Sequence, residues 1–173
     1  MIQQQRGRRA KEGHGSGYTS ADVVSVFRFP DFLGTDAEVF WEFNTISYSI
    51  YRDKFPVRAL GYSRAKGYTK GTRTVAGQLA FTMLDMPIVN KFVEMLYQDE
   101  STSRSLSVVP DELPPFDIVI NYMNELGNKA SVTLIGVELA EGNQVITTQD
   151  LQVHEQYSFV AQDIVQANQH RNI

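Results

Sequence analysis

The chain contains no cysteine. That absence removes disulfides, thiolate zinc sites, iron–sulfur clusters and a cysteine nucleophile, and leaves packing or assembly as the source of stability. Long apolar runs are missing as well. None approaches the roughly 20 residues a membrane helix needs, and the opening "MIQQQRGRRAKEGHGSG" has no apolar stretch of the signal-peptide kind. Together these absences predict a soluble protein without a membrane anchor, made in the cytosol.

Catalytic vocabulary is equally thin. The three histidines are His14, His154 and His170, and two of them fall in an expected arm and an expected tail, where geometry is hard to fix. His154 beside Glu155 reads as a solvated edge pair. No serine lies in a nucleophile-elbow context. Asp111, Glu112 and Asp117 flank "LPPF", which is ordinary surface chemistry around a proline turn. The glycine-rich stretch at 61–73 fails as a phosphate cradle, because Gly71-Thr72-Arg73 leads into a strand instead of the helix N-terminus a Walker loop requires. The expectation is a protein that is not an enzyme, with no cofactor and no metal.

What the chain does have is size, pattern and a divided charge. Its 173 residues, 42% hydrophobic, suffice for one core. Residues 1–73 hold 12 Lys/Arg against 7 Asp/Glu, whereas residues 74–173 hold 4 against 13. A molecule basic at one end and acidic at the other suits contact between copies of itself, since complementary fields steer association and fix register. The plainer alternative is two solvated faces.

Residues 1–20, with Arg6, Arg8, Arg9 and Lys11, offer almost nothing to bury and read as a flexible basic arm available for contact with a second protein. Residues 21–165 read as a single β domain and 166–173 as a C-terminal tail. "ADVVSVFRFP" predicts a strand with Val24, Val26 and Arg28 on one face, its alternation disturbed by Val23, Phe27 and Phe29. "EVFWEFNTISYSIYR" predicts a long strand or hairpin whose phase slips near Asn44 and Thr45, and "KFPVRALGY" a further short extended segment. After the glycine-rich loop, "TRTVAGQLAFTML" places Val75, Leu79, Phe81 and Met83 on one side. "MPIVNKFVEMLYQDE" changes to helical spacing, with Ile88, Phe92, Met95 and Leu96 on one face over about three turns. "FDIVINYM", "KASVTLIGVELA" and "HEQYSFVAQDIV" complete a mainly antiparallel β-barrel or sandwich with one flanking helix.

Two functional classes remain. Between Arg52 and Arg73 lie seven basic residues and one acid, Asp53, interleaved with Tyr62 and Tyr68. That composition fits a single-stranded nucleic-acid-binding barrel, although the acidic second half opposes general polyanion binding. It also fits an assembly protein, in which open sheet edges and non-closing contacts build rings or filaments.

The stretches "FNTISYSIYRDKFPVRALGYSRAKGYTKGTRTVAGQLAFTML" and, after a helix, "DELPPFDIVINYMNELGNKASVTLIGVELAEGNQVITTQDLQVHEQYSFVAQDI" lie within residues 43–164, about two thirds of the chain. They resemble virion structural proteins of contractile-tailed bacteriophages, the tail-tube-like group. The resemblance implies a β-barrel or sandwich with a flanking helix, forming stacked hexameric rings around a channel through which DNA passes during ejection without specific binding. It implies a location in the virion tail, with assembly in the host cytoplasm, and sheath or baseplate proteins as neighbours. A ring of the baseplate or neck is the alternative within the group. An extended loop reaching the adjacent ring is also implied, for which Gly61, Arg64, Lys66, Gly67, Tyr68, Lys70, Gly71 and Arg73 are the candidates. Glu138, Glu141 and Asp150 are the candidate acidic surface on which it docks.

Overall fold

The computed structural model describes residues 18, 23–29, 37–96, 108–123, 129–146 and 152–169. Six strands form one antiparallel sheet: β1 Val23–Arg28, β2 Phe43–Val57, β3 Gly67–Met83, β4 Phe116–Met123, β5 Lys129–Val145 and β6 Val153–Gln169, in the order β1-β4-β5-β6-β3-β2. A single helix, α1 Ile88–Leu96, follows β3, and a short 3-10 turn, Pro110–Glu112, precedes β4. The basic arm with Arg6, Arg8, Arg9 and Lys11 lies outside the described residues, as does Asp150.

The sheet is rolled until its two edge strands meet. Phe27 of β1 packs edge-on against Phe43 of β2 at 5.3 Å between ring centroids, and also meets Phe40, Phe92 and Phe116 at 5.2, 5.9 and 6.1 Å. Tyr122 of β4 reaches Tyr48 of β2, and burial followed by that contact raises its hydroxyl's pKa. No ladder joins β1 to β2 among the described residues. The segment before β2 closes the seam instead: Phe27 and Glu38 exchange two backbone hydrogen bonds of 2.8 and 2.9 Å, and Thr82 N–H donates to the Glu42 carbonyl at 2.8 Å. Interlocked phenylalanines of this kind carry more than their buried area, because edge-to-face ring pairs add about 0.5–1.5 kcal/mol each.

The helix caps one end of the roll. Ile88, Val89, Phe92 and Val93 are buried, with Met95 and Leu96 packed at the margin. Its inward face is therefore one position wider than the spacing of Ile88, Phe92, Met95 and Leu96 suggests, and its nine residues make two and a half turns instead of three. The buried Glu155 carboxylate of β6 fixes its start, accepting from the Ile88 N–H at 3.0 Å and from the Tyr157 hydroxyl at 3.2 Å. An orphan N–H at a helix N-terminus thus finds a negatively charged acceptor. Burial and the adjacent carboxylate push the Tyr157 phenol well up, so it remains the donor.

Several expectations shift. Along Val23–Phe29 the fully buried residues are Phe27 and, just past β1, Phe29, with Val23 and Val26 half-buried and Val24 and Arg28 exposed, so the large aromatics decide the phase. The slip near Asn44 and Thr45 is present as a register shift between Phe43 and Thr45. "KFPV" is not separate, since β2 runs on to Val57 past a second shift between Arg52 and Lys54. β6 continues to Gln169, so the stretch expected as a tail from 166 begins as strand.

Candidate assembly surfaces

The glycine-rich segment is mostly strand. Gly67, Tyr68, Lys70, Gly71 and Arg73 belong to β3, paired with β2 from Val57↔Gly67 to Arg52↔Arg73, and the connecting turn occupies residues 58–66. Gly61 has φ of 82°, a left-handed conformation that glycine adopts without a Cβ penalty. Gly71 lies beside the β2 register shift, where a Cβ would sit 3.0 Å from the Asp53 Cβ and 3.2 Å from the Phe55 ring.

β3 joins β6 only from Val75 onward, so everything distal is a two-stranded ribbon projecting from the roll. Its side chains are almost all exposed, including Tyr51, Phe55, Tyr62 and Tyr68. Arg52 faces Arg73 and Lys54 faces Lys70 directly across the ladder. Like charges in that position oppose pairing. Arg52 donates to the Gly71 carbonyl at 2.8 Å, and Arg73 is held by Asp163 at 2.8 Å. Lys54, Lys70, Arg58 and Arg64 have no carboxylate partner among the described residues. At the turn the Lys66 ammonium sits 4.3 Å from the Tyr62 ring centroid.

A second surface was not legible as a site. The four strands β5, β6, β3 and β2 turn one face to the core and the other outward. The outward positions follow from the register: Thr45, Ser47 and Ser49 of β2 lie opposite Ala80, Gln78 and Ala76 of β3, and these adjoin Gln156, Ser158 and Val160 of β6. Glu138 and Glu141 of β5 complete the face, opposite Val160 and Ser158. Residues 45–51, 74–82, 138–145 and 153–162 contain no lysine or arginine at all. The face is polar, small and acidic where it is charged. The signal that could have revealed it was the alternation Thr74-Ala76-Gln78-Ala80, polar and small between apolar core positions.

The two flanks of this four-stranded unit carry no further ladder among the described residues. β4 pairs with β5 only up to Val137, and beyond it the 3-10 turn lies against β5, with Pro110 packed near Gly142. β2 has no strand on its outer side among the described residues. Its stretch "TISYSIY", residues 45–51, lacks the proline and lysine with which edge strands normally discourage pairing, and is bounded by register shifts at Phe43/Thr45 and Arg52/Lys54.

A third surface lies at the base of the β2–β3 hairpin. Glu38, Trp41, Glu42, Asp85, Lys91 and Glu94 border a groove of about 540 Å³. Trp41 is 88% exposed. Lys91 is committed to Glu42, to which it donates a short hydrogen bond, and lies 3.9 Å from Asp85. Burial pushes the Glu42 carboxyl upward, but the Lys91 hydrogen bond, a backbone hydrogen bond and the ammonium charge together outweigh burial and hold it below its ordinary value. Glu38 and Glu94 are exposed and have no basic partner among the described residues.

No group of His, Asp and Glu capable of holding a metal occurs among the described residues. No protein-family model matches the chain, and no curated relative is found by sequence. Solved structures do match in shape. A chain of the PVC sheath-tube complex, an extracellular contractile injection system in its extended state, superposes with a TM-score of 0.54 over 88% of this chain and 92% of that one, at 12% identity. The SPP1 tail tube gives 0.58 over 88% and 80%, at 12% identity. The cap that terminates the anti-feeding prophage tube gives 0.58 over 95% and 100%, at 13% identity. The chain therefore has the tail-tube-like fold that its sequence resembles.

Proposed function

We propose that this protein is a structural subunit of a phage-type tail or injection tube, whose copies close laterally into rings and stack into a channel. The observation that carries this reading is the four-stranded unit β5-β6-β3-β2, with an outward face free of lysine and arginine and with no further strand paired to β2 or to residues 138–145 among the described residues. Rotation about an axis running along the strands brings the β2 edge of one copy against residues 138–145 of the next. Because strand direction alternates across the unit, the new ladder is antiparallel like the rest. Each copy adds four strands, and the contact is head-to-tail around the ring, which closes if the rotation divides the circle. Six copies is the number the resemblance implies.

Closure turns the polar face toward the channel. A wall carrying Glu138 and Glu141 and no fixed cation gives a polyanion no counter-charge to bind, so DNA passes without adhering. Glu138 and Glu141 thereby serve as channel-facing groups. The two structural neighbours from sheath-tube and tube-cap assemblies support a tail location with other tail proteins as partners. A single-stranded nucleic-acid grip is the weaker reading, since the basic residues sit on the ribbon and not on the sheet face.

Negative-stain microscopy across a concentration series, with a parallel shift assay against single- and double-stranded DNA, tests the proposal. Rings or tubes without a DNA shift are expected. A monomer at every concentration that shifts DNA with steep salt dependence would overturn it.

A further inference from the structure

Residues 138–145 of β5 pair on one side only, with β6. Leu139 is the last buried residue of β5, and residues 140–145 are exposed. A strand end attached in this way opens easily, whereas strand addition needs backbone groups fixed at ladder spacing. The register places Gly142 opposite Tyr157 and Gln144 opposite Glu155, both buried on β6. At Gly142 a Cβ would lie 2.8 Å from Tyr157 Cε1 and 3.0 Å from Pro110 Cγ, so the bare backbone rests on these two side chains. Gln144 Nε2 donates to Glu155 Oε1 at 3.4 Å and lies 3.6 Å from Met83 Sδ of β3. The other carboxylate oxygen, Oε2, accepts from the Ile88 N–H at 3.0 Å and from the Tyr157 hydroxyl at 3.2 Å.

We propose that Glu155 is a positioning residue for lateral assembly, holding residues 142–145 of β5 in the place where the β2 edge of the next copy adds. This rests on the tube reading above and names what shapes its lateral edge. The two oxygens divide the work. Oε1 ties down Gln144, while Oε2 holds the start of α1 and the Tyr157 hydroxyl, whose ring supports Gly142. No lysine or arginine pairs with Glu155 among the described residues. Burying a carboxylate without a cation is costly unless hydrogen bonds satisfy it, and an ionised carboxylate only accepts. The residue type therefore suits one task, the collection of donors from α1, β5 and β6 at a single point. An apolar side chain at this position would serve burial equally well but would tie nothing to Gln144. An edge already held in shape loses less freedom when a partner strand adds to it. Because Gln144 projects toward Glu155, the pair acts on the incoming copy only through the placement of the β5 backbone.

A swap of the pair tests the role. Gln144→Glu sets two carboxylates against each other and should raise the concentration at which rings form about tenfold, with faster amide exchange confined to residues 140–145 in dilute monomer. Adding Glu155→Gln to the same chain should reverse both changes. The introduced carbonyl takes over the Ile88 and Tyr157 donors, and the introduced amide donates to the carboxylate at position 144. The melting temperature of the double variant should stay lowered, because the helix start has lost its charged acceptor. Recovery of ring formation without recovery of melting separates positioning from stability, which a merely structural role would move together. A Gln144→Glu protein that forms rings at the wild-type concentration would overturn the positioning role and leave the tube reading standing. So would a double variant that fails to restore ring formation, or one whose ring threshold simply follows its melting temperature. Wild-type protein that forms no rings at any concentration would remove the tube reading and this role with it.

Discussion

Glu42 links three elements through one residue: its carbonyl accepts from Thr82 of β3, and its buried carboxylate holds Lys91 of α1. The net effect on its titration is a carboxyl held below its ordinary 4.5. A depressed native value means that the contribution to stability is complete above the unfolded pKa and is lost as pH falls through the native one. The protein should therefore lose thermal stability on acidification below about pH 4.5, and Glu42→Gln should lower the melting temperature near neutral pH while flattening this acid limb. Melting curves from pH 3 to 7 on both proteins check the sign. An unchanged acid limb in the variant would show that Lys91 gives Glu42 no net stabilisation. Trp41, next in the chain, illustrates what a residue-level reading misses. In the sequence it falls on the same parity as Val39 and Phe43 and reads as part of an aromatic strand face, yet the chain turns at Trp41 and Glu42 just before β2, and the indole stands in solvent.

At the scale of elements, alternation made β3, β4 and β6 legible, because each buries one face on a single core. Val75, Leu79 and Phe81 on one strand and Phe116, Ile118 and Ile120 on another keep strict period two. The ribbon reads as a loop in the sequence for the opposite reason: with no third strand beside it among the described residues, its side chains show no burial alternation, and its glycines and lysines resemble a connector. Strand pairing there is maintained by backbone bonds against like charges facing across the ladder. Replacing Lys70 by glutamate converts the Lys54–Lys70 pair into an attractive one, with an expected gain of roughly 0.2–1 kcal/mol. Amide hydrogen exchange across residues 51–57 and 67–74 should slow in the Lys70→Glu protein. Faster exchange would contradict the register-based account of the ribbon.

For the molecule as a whole, the charge division visible in composition acquires a direction. The basic groups gather at the tip of the ribbon, acidic groups gather at its base, and the sheet face between them is left without a fixed cation. A sequence count detects the imbalance but not the axis, since the axis exists only once β2 and β3 are aligned and the groove residues from 38 to 94 are brought together. The central claim is that the outward face of β5-β6-β3-β2 lines a channel. Gln156 occupies the middle of that face, and the native chain offers no competing thiol. Gln156→Cys, labelled with a small gold cluster and imaged end-on after assembly, is the most direct measurement. The account predicts density on the axis of each ring; density around the outer circumference would contradict it.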